Sequence, residues 1–182
     1  MVAQADITIR TPLPDEMEYA LHVERLVWGL LAASREELEG RWEAFPEGFL
    51  IAEEDGQFVG LCDSIRYSDT SGVSLAAIQR VPDNAYKHHE PGGPALYILS
   101  LGVLSRHRGR GIGQALLEAQ IDLARDLGCA TVAAIAHARA HPLYARVGLR
   151  YIQDLPDFYV ERQEVRWPRP TLMRLELGGE KR

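Results

Sequence analysis

An apolar run that ends in a basic, glycine-rich turn and restarts as an amphipathic helix, Tyr97 to Leu127, constrains this chain more than any other stretch. Tyr97, Ile98, Leu99, Leu101, Val103 and Leu104 continue without polar alternation, the pattern of a strand buried on both faces. Ile112, Ala115, Leu116, Ala119 and Leu123 then recur at i, i+3, i+4, i+7 and i+11, one helix face, and Gly128 stands where a C′ glycine closes the helix. Between the two lies Arg106-His107-Arg108-Gly109-Arg110-Gly111-Ile112-Gly113. Glycines there let backbone N–H groups converge on a ligand, and a helix N-terminus adds roughly half a positive charge, so the turn reads as an anion site suited to a diphosphate. It is neither of two familiar phosphate loops: no Lys-Ser or Lys-Thr pair follows, and Gly109-x-Gly111-x-Gly113 differs from G-x-G-x-x-G. A tight strand-helix connection with solvated arginines is the alternative.

The 182 residues, 46% hydrophobic, suit one globular domain spanning 1–182. A formal net charge of −6 argues against a nucleic-acid partner and mildly favours a cationic substrate. Cys62 and Cys129 stand far apart, with no C-x-x-C and no histidine cluster at ligand spacing, so no metal site and a reducing cytoplasm are expected. The N-terminus lacks a secretory pattern, and the longest apolar run, Ala95 to Leu104, falls short of the ~20 residues of a spanning helix; a soluble chain is expected.

Upstream, Ile7 and Ile9 predict a short strand closed by Thr11-Pro12-Leu13-Pro14. A helix follows Pro14 and ends near Gly29, and Ser34-x-x-Glu37 is a capping box for a second that Pro46 stops. Phe49 to Glu53 and Phe58 to Tyr67 flank Asp55-Gly56 as a hairpin. Periodicity fails from Ser68 to Pro94, a long loop that reads either as a cover over the acceptor side of a site or as a surface Ω-loop. Ala130 to Ala136 predicts a buried strand joined to the first by a right-handed parallel crossover. Two strands between Leu155 and Trp167 and a closing strand over Leu172 to Leu177 complete the reading.

His141-Pro142-Leu143-Tyr144-Ala145-Arg146-Val147-Gly148-Leu149 is a short helix with Pro142 at N1 and Gly148 at C′. Arg108-x-x-Gly111-x-Gly113 behind Leu101-Gly102-Val103, followed in order by Leu143-Tyr144-x-x-x-Gly148-Leu149, resembles the two recurrent motifs of the GNAT superfamily, the acyl-CoA-dependent N-acetyltransferases. The resemblance implies an α/β (α+β) fold: a mixed, largely antiparallel sheet with a splayed central parallel strand pair, flanked by about four helices. It also implies acetyl-CoA or another acyl-CoA as co-substrate, held by Leu101, Gly102, Val103, Arg108, Gly109, Arg110, Gly111, Ile112 and Gly113. Backbone N–H groups near Leu101 to Val103 would serve the pantetheine and the carbonyl oxygen. Tyr144 would stand near the acyl-CoA sulfur as general acid, its pKa near ~10 keeping the proton on oxygen until charge builds on a thiol of pKa ~8.5.

The acceptor implied is a primary amine of a small molecule or peptide, and family members are often homodimers. Core packing is the competing role for Tyr144. Two positions depart from the family: Leu149 replaces the common Phe, and His137 stands seven residues before the tyrosine where an Asn often contacts the cofactor. The Glu that many members carry on the strand before the tyrosine helix is missing, which leaves Glu53, Glu54, Asp63, His88 or a water chain as base. An acyl-CoA-binding module without catalysis, a sensor or structural subunit, is the second functional class.

Overall fold

The structure, a computed structural model, describes residues 7–73, 82–160, 165–167 and 169–178. Strands β1 (Ile7–Arg10), β2 (Phe49–Glu54), β3 (Gln57–Tyr67), β4 (Ala95–Val103), β5 (Thr131–Ala136), β6 (Arg150–Asp154) and β9 (Thr171–Glu176) form one sheet in the order β1-β2-β3-β4-β5-β9-β6. Strands β7 (Phe158–Val160) and β8 (Val165–Trp167) make a separate ribbon. Four α-helices accompany them: α1 (Met17–Trp28), α2 (Arg35–Ala44), α3 (Ile112–Asp126) and α4 (His141–Arg146). Every pairing in the large sheet is antiparallel except β4 with β5, so the fold is the mixed, largely antiparallel one expected.

Local chemistry accounts for most boundaries. Ser34 Oγ accepts the N–H of Glu37 and the Glu37 carboxylate accepts the N–H of Ser34, the reciprocal cap that opens α2. Asp55 (φ 51°) and Gly56 (φ 77°) both lie in the left-handed region that a two-residue hairpin between β2 and β3 requires. Gly128 (φ 68°) follows α3 as predicted. Helices α1 and α2 cover one face of the sheet through Leu21, Val23, Leu38, Phe49, Ile51 and Leu61. Helices α3 and α4 cover the other through Ile112, Leu116, Leu117, Ile121, Tyr144 and Leu149.

Three expectations are corrected. The buried face of α3 runs through Ile112, Leu116, Leu117, Gln120, Ile121 and Ala124, rotated from the predicted Ala115, Ala119 and Leu123 side. Gln120 explains the rotation, since its amide donates to Gly48 O (2.8 Å) and Cys62 O (3.1 Å) and its carbonyl accepts from Ser64 Oγ (2.8 Å), burying a polar residue. Strand β6, wholly exposed, was not expected, because an edge strand held by backbone pairing with β9 leaves no apolar alternation to read. Within the long loop, Pro82–His88 is a 3₁₀ helix lying beside α2, while residues 74–81 fall outside the described residues.

The central pair is short. Ala95 to Ile98 pair with Thr131 to Ala134, and there the parallel ladder ends. Beyond it β4 stays with β3, Gly60 opposite Val103 and Cys62 opposite Leu101, while Ile135 and Ala136 stay with β9. A register step from Asp63 opposite Ser100 to Ser64 opposite Ile98 makes Leu99 an extra, bulged residue where the strands part. The sheet therefore opens into a V.

Candidate active site

The V is a cleft of about 460 Å³. One wall is the end of β4, Ile98 to Val103, and the other is Ile135, Ala136 and His137. The glycine turn and the start of α3 close one end, α4 supplies Leu143, Tyr144 and Arg146, and Val27 and Trp28 of α1 stand over β4. Helix α1 lies close there because residue 102 is glycine: a Cβ at Gly102 would fall 2.7 Å from Val27 Cγ1. Trp28 Nε1 donates to Ser100 Oγ (3.1 Å), tying α1 to the bulged part of β4.

At the glycine turn the predicted geometry holds. Gly109 (φ 78°) and Gly111 (φ 87°) both need positive φ, and a Cβ on either would meet nothing within 4 Å, so the backbone is open to a ligand. Ala115 N–H donates to Gly111 O (2.9 Å), the first bond of α3, which leaves the N–H groups of Ile112, Gly113 and Gln114 without a helical acceptor. All three residues line the cleft. Arg108 Nε donates to Val103 O (2.9 Å), which ties the guanidinium to the end of β4, and Arg108 lines the same cleft. A chain of backbone donors, a helix end and a guanidinium fits a diphosphate.

Arg110 is set apart from the other nominated residues. Its Nη1 reaches Glu54 Oε2 (2.5 Å), the carboxylate that also contacts His107 Nδ1, and Arg110 does not line the cleft. Leu101, Gly102, Val103, Arg108, Gly109, Gly111, Ile112, Gly113 and Tyr144 all do.

Helix α4 is anchored through its first turn. His141 Nε2 meets Thr171 Oγ1 (2.5 Å), which donates to Ala136 O (3.0 Å), and a Cβ on Gly113 would stand 3.3 Å from Leu143 Cδ2. These contacts hold Tyr144 where β5, α3 and α4 meet. Its side chain is 6% exposed, and burial, with Cys62 nearby, pushes its phenol above the ordinary range, so the proton stays on oxygen.

None of the acidic or histidine candidates for a base lines the cleft. Glu53 accepts from Arg10 (3.0 and 2.9 Å), Asp63 is buried against Arg41 (3.2 Å), Glu54 serves the outer side of the glycine turn, and His88 is exposed on the 3₁₀ helix. The 82–90 segment is likewise not a cover for the described cleft: Tyr86 packs on Gly40 of α2, and His89 stacks on Phe45 while its Nδ1 accepts from Arg66 N–H (3.1 Å). Sequence reasoning missed Val27, Trp28 and Ser100, whose roles depend on how α1 crosses β4. Among the described residues no helix is long and apolar enough to cross a membrane, and no group of three or more His, Cys, Asp or Glu is arranged to hold a metal ion.

Residues 16–149 match the model of the acetyltransferase (GNAT) family. Over 105 residues the chain is 32% identical to the Bacillus subtilis (strain 168) protein named Probable hydrolase YhcX, covering 57% of this chain and 20% of that one. It is 29% identical over 105 residues to the uncharacterized N-acetyltransferase YkwB of the same organism, covering 57% and 44%. The chain thus spans less than half the length of either curated relative. Among solved structures, the loading GNATL domain of CurA from Lyngbya majuscula superposes with a TM-score of 0.73 at 18% identity, covering 94% of this chain and 98% of that one. The yncA protein of Salmonella typhimurium, with its cofactor acetyl-CoA, superposes at 0.66 and 21% identity, covering 97% and 96%.

Proposed function

Because this chain belongs to the GNAT family of acetyltransferases, we propose that it transfers an acetyl group from acetyl-CoA to a primary amine of a small molecule or peptide, by direct attack on the thioester in the cleft between β4 and β5. The observation that carries the reading is the coincidence, in one cleft, of the split parallel pair, the glycine-turn helix end and a buried tyrosine. Bound acyl-CoA supplies a carbonyl open to an amine and a thiol leaving group. The chain's own residues do the rest. Ile112, Gly113, Gln114 and Arg108 hold the anionic diphosphate, and Leu101, Gly102 and Val103 on the open strand receive the arm that leads inward. Tyr144 keeps its proton until negative charge grows beside it, then donates.

The second reading, an acyl-CoA-binding module without catalysis, draws on the placement of Glu53, Glu54, Asp63 and His88 away from the cleft. Thiol release from acetyl-CoA, followed across a panel of primary amines and amino-terminal peptides, separates the two. Amine-dependent release by the wild type supports transfer; tight acetyl-CoA binding with no release over any amine would establish the silent module.

A further inference from the structure

Five ionisable side chains line the cleft: His107, Arg108, His137, Tyr144 and Arg146. Among the described residues no carboxylate joins them, so the proton that an ammonium acceptor must lose has few places to go. Arginine does not give up its proton in a protein. Tyr144 is kept protonated by burial, and His107 already shares its Nδ1 with the Glu54 carboxylate. We propose that His137 is the general base that accepts this proton, an assignment that rests on the acyl-transfer reading and adds to it the residue that reading lacks.

The geometry favours it. His137 is the first residue after β5, at the point where that strand leaves the sheet, and it forms part of the cleft wall opposite the open end of β4. Its carbonyl accepts the N–H of Ala140 (2.8 Å), which fixes the turn that carries the chain straight into α4 and Tyr144. The base and the acid are therefore held by one short connected unit, on the same cleft. Arg139, on the same turn, is the charge that acts on it, and the other charged or titratable groups on the cleft are Arg146 and Tyr144 on α4 and His107 and Arg108 on the glycine turn. Burial first, and then the Arg139 guanidinium, hold the imidazole below its ordinary value near 6.5, so at pH 7 it is neutral and can accept.

The protons balance. His137 takes one proton from the ammonium, freeing the lone pair that forms the C–N bond as the C–S bond breaks. Tyr144 delivers a proton to sulfur and recovers one from the nitrogen, which sheds its second as the amide forms. His137 then releases its proton to solvent, leaving amide, free thiol and one proton.

The test is His137→Gln, which keeps a hydrogen-bonding side chain of similar reach and removes the basicity. With an alkylamine acceptor its kcat/KM should fall by about 100-fold, in the range of general base catalysis. Acetyl-CoA affinity by calorimetry should stay within about threefold, and the wild-type plateau above the imidazole's titration should give way in the variant to a rate that climbs with pH toward the amine's own pKa, since only amine that is already neutral then reacts. An aryl or hydroxylamine acceptor, already neutral at pH 7, should shrink the defect. Independently of turnover, the imidazole followed by NMR in the acetyl-CoA complex should be neutral at pH 7 and titrate below its ordinary value. A variant that keeps the wild-type pH profile, a defect equal across acceptors, an imidazole charged at pH 7, or lost acetyl-CoA affinity with unchanged kcat would overturn the assignment, the last showing a cofactor contact instead. Failure of the acyl-transfer reading is distinct: there the wild type itself acylates no amine.

Discussion

Tyr144 sits in a helix of six residues, yet its ring is buried while forming part of the cleft. Tyr144→Phe keeps the ring and removes only the hydroxyl, so a kinetic effect reads as a lost proton or hydrogen bond. Its kcat should fall about 100-fold with acetyl-CoA affinity nearly unchanged, and the deficit should narrow for donors with more acidic leaving thiols. A deficit equal for all donors would mean a misplaced substrate. Glu24 on α1 makes a different case. It is 2% exposed, its Oε1 accepts the N–H of Ala33 (3.0 Å), its Oε2 has no hydrogen-bond partner, and burial raises its pKa to about 7 against the pull of Arg41. A carboxyl whose folded pKa lies above its unfolded one binds more protons when folded, so its contribution is full below about 4.5 and is lost as pH rises through about 7. Glu24→Gln keeps the acceptor for Ala33 and cannot ionise. Urea unfolding should find it more stable than wild type at pH 8, by an amount on the order of 3 kcal/mol, and little different near pH 4.5. An equal difference at both pH values would refute the ionisation argument.

At the scale of elements, the approach of α1 to β4 shows what the sequence hides and what it displays. The capping box of α2, the Asp55-Gly56 hairpin and the turn before α3 were legible because each is a local rule: a side chain and a backbone group a few residues apart. The placement of Val27 against Gly102, and of Trp28 against Ser100, depends on residues far apart in the chain and leaves no local pattern. Gln120 misled periodicity for the same reason, since its partners Gly48, Cys62 and Ser64 lie on other elements. Leu101, Gly102 and Val103, nominated through the motif, line the cleft; Val27 and Trp28 of α1, which line it with them, carry no such motif. A specific consequence follows for Gly102→Ala. The new methyl meets Val27, so α1 must lift, at a cost of about 1–3 kcal/mol, and the KM for the amine should rise because Val27 and Trp28 move with it. Adding Val27→Ala should recover most of that stability, a positive coupling measured by chemical denaturation. Additive losses would show that the contact is not what limits residue 102.

For the whole molecule, the parallel seam is the feature with the widest reach. Among the described residues four ladder pairs, Ala95–Ile98 with Thr131–Ala134, extended by the Ala130 N–H that donates to Pro94 O (2.6 Å), join the half of the sheet that contains β1 to β4 with the half that contains β5, β6 and β9. Helix α3, between β4 and β5 in the chain, packs on both sides of that seam with Leu116, Ile121, Ala124, Leu96 and Val132 in one buried cluster. The two halves are clamped at the bottom and parted at the top, and although the chain carries a net charge of −6, the ionisable residues lining the cleft between them are arginine, histidine and tyrosine. A ligand lying in the gap does for the upper strands what a neighbouring strand would do, and gains affinity only for the folded state. Acetyl-CoA should slow amide hydrogen exchange along residues 99–103 and 135–137 and leave residues 95–98 and 131–134 at their already slow rates. Uniform slowing across the sheet would point to global stabilisation alone. Under the proposed function, an acyl-CoA laid in the V would act as a missing plank, taking up the edges that β4 and β5 leave unpaired with each other beyond Ile98 and Ala134.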